Sequence, residues 1–238
     1  MLNLYITSTV HKEGKSFITA GLAATMQSLG YKTAVYKPFQ TAGIEINGFM
    51  QSPDLTYVKT LDPYIETHFS YLFKEKGDVL SASENENKEL DIDFIFKDAQ
   101  KFAMSSDCIL LDGEDNIFSP IAPGIQNIDL INKLQVPILF VVSPGEDSIN
   151  NILLSIYGAK EKGAEVSGVV VNNIKDEDDS KNVTNLVRAI EEYSDVKVLG
   201  MVPDMGKNIQ PEDLITGILN GIDIESVFDV KISKLEIS

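Results

Sequence analysis

Gly14-Lys15-Ser16 stands between an apolar run, Leu2 to Ile6, and a stretch where Ile18, Leu22, Met26 and Leu29 recur at helical spacing. The run reads as a buried strand and the recurrence as one face of a helix. Strand, loop, Gly-Lys-Ser and helix is the context a phosphate-binding loop requires. The first N–H groups of a helix have no partner inside it and point into the loop, which favours an anion there. Gly14 lets the main chain approach a phosphate, Lys15 reaches the terminal phosphates, and the Ser16 hydroxyl suits Mg²⁺. Glu13 and Phe17 flank the tripeptide and complete the candidate nucleotide-binding set at this loop. The usual pattern opens with glycine five residues before the glycine of the Gly-Lys pair. That position is Thr9, with Ser8 one residue earlier. The loop therefore reads as one residue longer, with Ser replacing Gly; a chance Gly-Lys-Ser in an ordinary loop is the alternative.

Three further features fall at strand-like ends, where open α/β sheets place their sites. Lys37-Pro38 closes one run, with Thr41 and Gly43 in the turn beyond. Asp54 follows Pro53 at a helix start, and Asp112 ends the run Cys108-Ile109-Leu110-Leu111. An acidic residue after such a strand is the usual Mg²⁺ partner of a phosphate loop. A helix cap or a turn former is the plainer reading of Asp112. Glu114 reads as a base for an amine or as a turn residue, and His11 as loop filler or a phosphate contact.

Positioning these residues requires alternating strands and helices. Runs 2–7, 32–37, 107–112, 137–143, 166–172 and 197–202 read as strands. Their uninterrupted apolar character suits parallel strands covered on both faces. Residues 147–162 align Ile149, Ile152, Leu153 and Ile156 on one helix face, and 180–192 align Val183, Leu186, Val187 and Ile190. The alternation predicts an α/β fold, a doubly wound, mainly parallel sheet flanked by helices, in one domain over residues 1–238. Residues 62–90 break the rhythm and predict an irregular excursion with a short helix and a loop. Residues 222–238 predict an added strand or small helix.

Composition bounds the function. The chain has 238 residues, 43% of them hydrophobic, and no run long enough to span a membrane. No basic segment precedes the first strand, so no signal peptide is expected. The single Cys108, in a strand, fits a reducing cytoplasm. Two His and one Cys cannot build a soft-ligand zinc cluster. A net charge of −16, from 20 basic and 36 acidic residues, argues against nucleic acid and anionic membranes as partners. Against that background Lys12, Lys15 and Lys37 form a basic island suited to a polyphosphate. Tyr71, Phe73 and Phe94 read as core rather than a base-stacking platform, and His68 as a surface residue without a special role.

Together these residues resemble the dethiobiotin synthetase family, within the P-loop NTPases. The likeness runs in order through most of the chain. It covers the loop ending in Gly14-Lys15-Ser16, Tyr36-Lys37-Pro38 with Thr41 and Gly43, Asp54, and Leu111-Asp112-Gly113. It continues through Ser148-Ile149-Asn150 opening a helix, Gly168-Val169-Val170-Val171-Asn172 ending a strand, and Pro203. The lysine-proline turn is its most specific part, since generic P-loop ATPases lack it. The resemblance implies carboxylation of 7,8-diaminononanoate with CO₂, with ATP as co-substrate and Mg²⁺ as cofactor. A carbamate forms on one amine and attacks the γ-phosphate, and the second amine then closes a cyclic urea. It further implies that Lys15 and Lys37 hold the γ-phosphate and carbamate. Ser16, Asp54 and Asp112 would hold Mg²⁺, Asn172 would read the adenine edge, and Pro203 would sit beside the nucleotide. Thr41 and His11, with Ser148, Ile149 and Asn150 contributed from a second subunit of a homodimer, would contact substrate.

The sequence also departs from that family. Ser8 and Val10 stand where it usually has Gly and Asp, and Asp112-Gly113-Glu114-Asp115-Asn116 replaces a glutamate and a glycine-rich turn. Glu146-Asp147 places two acids where the family receives a carboxylate, and like charges repel. A related ligase with another substrate and a nucleotide-dependent sensing domain are therefore the competing expectations. A partition ATPase of the membrane or chromosome class is disfavoured, because its extra lysine five residues before Lys15 is here Val10.

Overall fold

The computed structural model describes residues 2–11, 13–145, 148–175, 180–206 and 209–232. The strands are β1 (Leu2–Ser8), β2 (Thr33–Gln40), β3 (Ile44–Ile46), β4 (Phe49–Gln51), β5 (Glu66–Leu72), β6 (Cys108–Asp115), β7 (Pro120–Ala122), β8 (Ile125–Gln126), β9 (Ile138–Val142), β10 (Val166–Ile174) and β11 (Val198–Pro203). The helices are α1 (Lys15–Ser28), α2 (Pro53–Leu61), α3 (Val79–Asn85), α4 (Ile92–Ala103), α5 (Asn127–Leu134), α6 (Ile149–Glu161), α7 (Ser180–Ser194), α8 (Pro211–Gly221) and α9 (Ile224–Phe228). Seven strands form one sheet in the order β11-β10-β9-β1-β6-β2-β5, with every pair parallel. Two small hairpins, β3–β4 and β7–β8, stand apart from it. This is the doubly wound α/β fold that the alternation predicts.

The apolar runs are continuous because both faces of the sheet are covered. Side chains of successive strand residues point to opposite faces. Tyr5, Tyr36, Leu111, Phe140 and Val171 enter one core, together with Ile95, Ile131, Ile152 and Leu186. Leu4, Ile6, Val35, Leu110, Leu139 and Val170 enter the other, together with Ile18, Leu55, Leu214 and Val227. Helix α1 is buried on more than the one predicted face, with Ala20, Gly21, Ala23 and Ala24 inside as well. Its small residues let α8 approach: a Cβ on Gly21 would lie 2.8 Å from Ile218.

Three expectations need correction. The excursion at 62–90 contains a strand, β5, which pairs in parallel with β2 at the sheet edge. Its residues are half-buried apart from Leu72, so it lacks the apolar run that marks interior strands. Helix α3 is the short helix predicted there. Second, Lys37-Pro38 and Asp112 do not end their strands. Strand β2 runs on to Gln40, and beyond Tyr36 it pairs only with β5, which tolerates a proline. Strand β6 runs on through Glu114 and Asp115. Third, Phe94 is 46% exposed and meets Tyr71 edge-on rather than filling the core. His68 is half-buried and pairs with Asp98 at 2.8 Å. The predicted element at 222–238 is helix α9, with an antiparallel bridge from Ile222 to Gly200; residues 233–238 lie outside the described residues. Cys108 is buried, which pushes its thiol up to about 12.

Candidate active site

The phosphate loop is shaped from within. Gly14 adopts φ +83°, in the left-handed region that favours glycine, and a Cβ there would lie 2.1 Å from Asn172 Nδ2. Both the conformation and the close approach require glycine. Glu13 is 1% exposed and turns inward. Its Oε2 accepts from the Thr9 N–H (2.9 Å) and the Val10 N–H (3.1 Å), and its Oε1 from the Ser143 N–H (3.2 Å). Its carbonyl accepts from Asn172 Nδ2 (2.9 Å) and Ser143 Oγ (3.2 Å). The Glu13 side chain thus holds the loop's curve. Lys12, part of the expected basic island, lies outside the described residues.

Behind the loop lies a buried ionic network. Lys15, the first residue of α1, donates to Asp112 Oδ1 at 2.8 Å, and Lys37 of β2 donates to Asp112 Oδ2 at 2.7 Å. Lys37 also pairs with Asp54 at 2.8 Å, and Ser16 Oγ donates to Asp112 Oδ2 at 3.1 Å. Parallel strands β1, β6 and β2 are neighbours, so their C-terminal ends bring these groups together. Asp54 is fixed through a cap. Ser52 Oγ accepts from the Leu55 N–H (3.2 Å) and donates to Gln40 Oε1 (2.7 Å), with Pro53 at the first helical turn. Burial alone would raise the Asp112 carboxyl, yet Lys15 and Lys37 overcome it and hold it well below the usual carboxylate range. Burial would likewise lower Lys37, but Asp112 and Asp54 hold it above the usual lysine range.

In front of this network is a cavity of about 310 Å³, lined among others by Lys15, Lys37, Thr41, Asp54, Glu114 and Asp115. Glu13, Gly14, Ser16, Phe17 and His11 also line it. Of the expected residues, Asn172, Pro203, Ser148, Ile149 and Asn150 do not, and Asp112, 2% exposed, stands behind the wall rather than in it. Asn172 is 1% exposed and sits under the phosphate loop, where its Oδ1 has no hydrogen-bond partner. Ser148 caps α6, accepting from the Asn151 N–H at 3.2 Å. Glu146 and Asp147 lie outside the described residues.

Glu114 and Asp115, two acids beyond Asp112 that the sequence brings toward the site with Glu114 read as a base or a turn residue, lie in β6 itself and line the cavity. Asp115 ties down the start of the phosphate loop. It accepts from Ser8 Oγ (2.6 Å), pairs with His11 Nδ1 (2.6 Å) and lies 4.0 Å from Lys15. Ser8 and His11, both departures from the familiar loop, thus share one anchor. Burial raises the Glu114 carboxyl above its usual range, while Lys15 pulls it back. Gly113 between them is required by packing, because a Cβ there would lie 2.1 Å from the Tyr5 ring.

Among the described residues no three His, Cys, Asp or Glu side chains form a ready metal cage. Two carboxylates and a hydroxyl, Asp54, Asp112 and Ser16, do converge. That oxygen set fits Mg²⁺, which takes one or two carboxylates and completes its shell with waters and substrate phosphates.

A family model described as AAA domain matches residues 2–212. Curated relatives named ATP-dependent dethiobiotin synthetase BioD include one from Clostridium acetobutylicum, 26% identical and covering 87% of this chain and 88% of its own length. Another, from Bacillus subtilis, is 24% identical over 94% of this chain and 96% of its own length. A third, from Nitrosopumilus maritimus, is 25% identical over 95% and 99%. Among solved structures, the MinD cell division protein of Aquifex aeolicus superposes with a TM-score of 0.57 at 17% identity, covering 100% of this chain and 98% of that one. At that identity the likeness carries the fold alone.

Proposed function

The chain belongs to the AAA domain family and is a diverged member of the dethiobiotin synthetase family, and from that membership we propose that it carboxylates 7,8-diaminononanoate with CO₂ and closes the cyclic urea at the expense of ATP. The observation that carries this reading is the double pairing of Asp112 with Lys15 and Lys37 behind a cavity fronted by the phosphate loop. A phosphate loop supplies one lysine; the second arrives on β2, beside Thr41. Two cations at one point suit a reaction that moves a phosphoryl group onto a carbamate, where negative charge accumulates.

In this reading Gly14, Lys15, Ser16 and the loop backbone bind the ATP phosphates. Lys37 orients the carbamate oxygen toward the γ-phosphate, and Thr41 contacts the substrate. Ser16, Asp54 and Asp112 hold Mg²⁺, which when bound neutralises charge on the phosphates. Asn172 acts as a positioning residue that fixes the loop through the Glu13 carbonyl. The protein works as a homodimer. Ser148, Ile149 and Asn150 are exposed at the start of α6 and line no part of their own chain's cavity, which suits a contact supplied across subunits.

One observation favours a second reading, a related ATP-dependent ligase with another amine substrate. Glu114 and Asp115 bring two carboxylates to the cavity wall where a glycine-rich turn is usual. Phosphate release from Mg-ATP with bicarbonate, with and without 7,8-diaminononanoate, tests both. Diamine-dependent release with dethiobiotin formed supports the first. Release with a different amine only supports the second.

A further inference from the structure

The cavity's charges do not cancel. Among the described residues, ion pairs account for Asp54 and Asp112 with the lysines and for Asp115 with His11, and they leave out Glu114. Its Oε1 accepts from the Asp115 N–H at 3.1 Å. A polyphosphate would engage Lys15 and Lys37, and a divalent cation Asp54 and Asp112. Glu114 lines the same cavity with no ion pair of its own among the described residues, and a polyphosphate that engages Lys15 and Lys37 takes up the cations nearest to it. A half-buried carboxylate gains strongly when a cation is brought alongside it.

We propose that Glu114 is the specificity residue for the substrate's amino end: it pairs with an ammonium group and selects amines over neutral isosteres. The cavity supports the direction of entry. Gln40 at the end of β2 and Thr41 just beyond it line the same space, so an ammonium at Glu114 lies in the cavity that Lys37 also lines. The anchoring of Asp115 by Ser8 and His11 holds the adjoining backbone, and Gly113 packs directly on the ring of Tyr5. Glu114 is therefore presented on a rigid strand rather than on a loop. A site built for a charged group rejects the analogue that lacks it, because the carboxylate is then left unpaired.

This inference rests on the reading of the cavity as an ATP-dependent amine-carboxylating site. The test is calorimetric binding to the full chain with Mg²⁺ and a non-hydrolysable ATP analogue. The probes are 7,8-diaminononanoate and its analogues with either amine replaced by hydroxyl. The wild type should prefer the diamine to at least one hydroxyl analogue by about tenfold or more, the order expected for a charge-assisted bond. Glu114→Gln should weaken the diamine by a similar factor and erase that preference, with the ATP analogue bound as in the wild type. Glu114→Asp should keep part of the preference. Equal diamine affinity in wild type and Glu114→Gln overturns the proposal, as does a parallel loss of nucleotide affinity, which would mark a structural role. No diamine binding by the wild type overturns it too, while nucleotide binding leaves the phosphate-loop reading standing. Diamine binding through Glu114 without phosphate release under bicarbonate sinks the ring-closing reaction and keeps the ammonium contact.

Discussion

Asp112 is the residue on which the site turns, since it receives Lys15 on one oxygen and Lys37 on the other. Removing either lysine leaves a buried carboxylate with half its compensation and, under the proposed function, strips one cation from the phosphoryl path. Lys15→Ala and Lys37→Ala should each lower diamine-dependent phosphate release by about 10²-fold or more, and Lys15→Ala should also weaken ATP. Full activity in both variants would remove the site assignment. The same network sets an acid limit on stability. Asp112 is held below the usual carboxylate range, so its contribution is full above about pH 3.9 and is lost as pH falls through the folded value. Lys37 is held above its usual range, so its contribution is full below about pH 10.4 and is lost only at higher pH. The gap in urea midpoint between wild type and Asp112→Asn should be constant near neutrality and narrow below about pH 4. A gap independent of pH would mean the pairing adds nothing to stability.

At the scale of elements, the phosphate loop and the end of β6 are braced against their neighbours. Asn172, on β10, reaches under the loop to the Glu13 carbonyl at 2.9 Å. One such hydrogen bond is worth about 1 kcal/mol, so Asn172→Ala should reduce ATP affinity by about fivefold while leaving the fold intact by circular dichroism. If Asn172 instead reads adenine, the loss should fall on ATP and spare pyrimidine triphosphates. Gly113 has Tyr5 against it, and Tyr5 OH donates to Asn127 Oδ1 at 2.5 Å, which fixes the ring. Gly113→Ala should destabilise by about 1–3 kcal/mol, as overpacking does, and should lower turnover by displacing the flanking Asp112 and Glu114. An unchanged melting temperature would show that the ring can move aside.

At the scale of the whole molecule, helix α6 leaves Ile149, Leu154 and Tyr157 exposed at 39%, 58% and 44%. Exposed apolar side chains on one helix offer a partner a surface to cover, and a homodimer is the occupant the proposed function needs. The wild type should sediment at twice its 26.2 kDa. Leu154→Asp should sediment as a monomer and lose diamine-dependent turnover while still binding ATP. Two chains of charge −16 repel, so the dimer should tighten as salt rises. A wild-type monomer that remains fully active would remove the cross-subunit contact. Among the described residues no helix is long and apolar enough to cross a membrane.

The amino-acid sequence by itself determined the interior of the sheet, because strands buried on both faces must be continuously apolar and such runs are visible. It also determined the phosphate loop, since Gly-Lys-Ser between strand and helix has few other uses. It did not reveal β5, whose polar residues suit an edge strand with one neighbour. Only the tertiary structure decided what the site residues touch. Lys37 and Asp112 are far apart in the chain and meet because β2 and β6 are adjacent. Glu13 turns inward and Asn172 goes under the loop because the main-chain groups there need partners, a demand no local pattern announces. Glu114 is a turn residue by composition and a cavity residue by geometry, because β6 runs on past Asp112 and carries it to the wall.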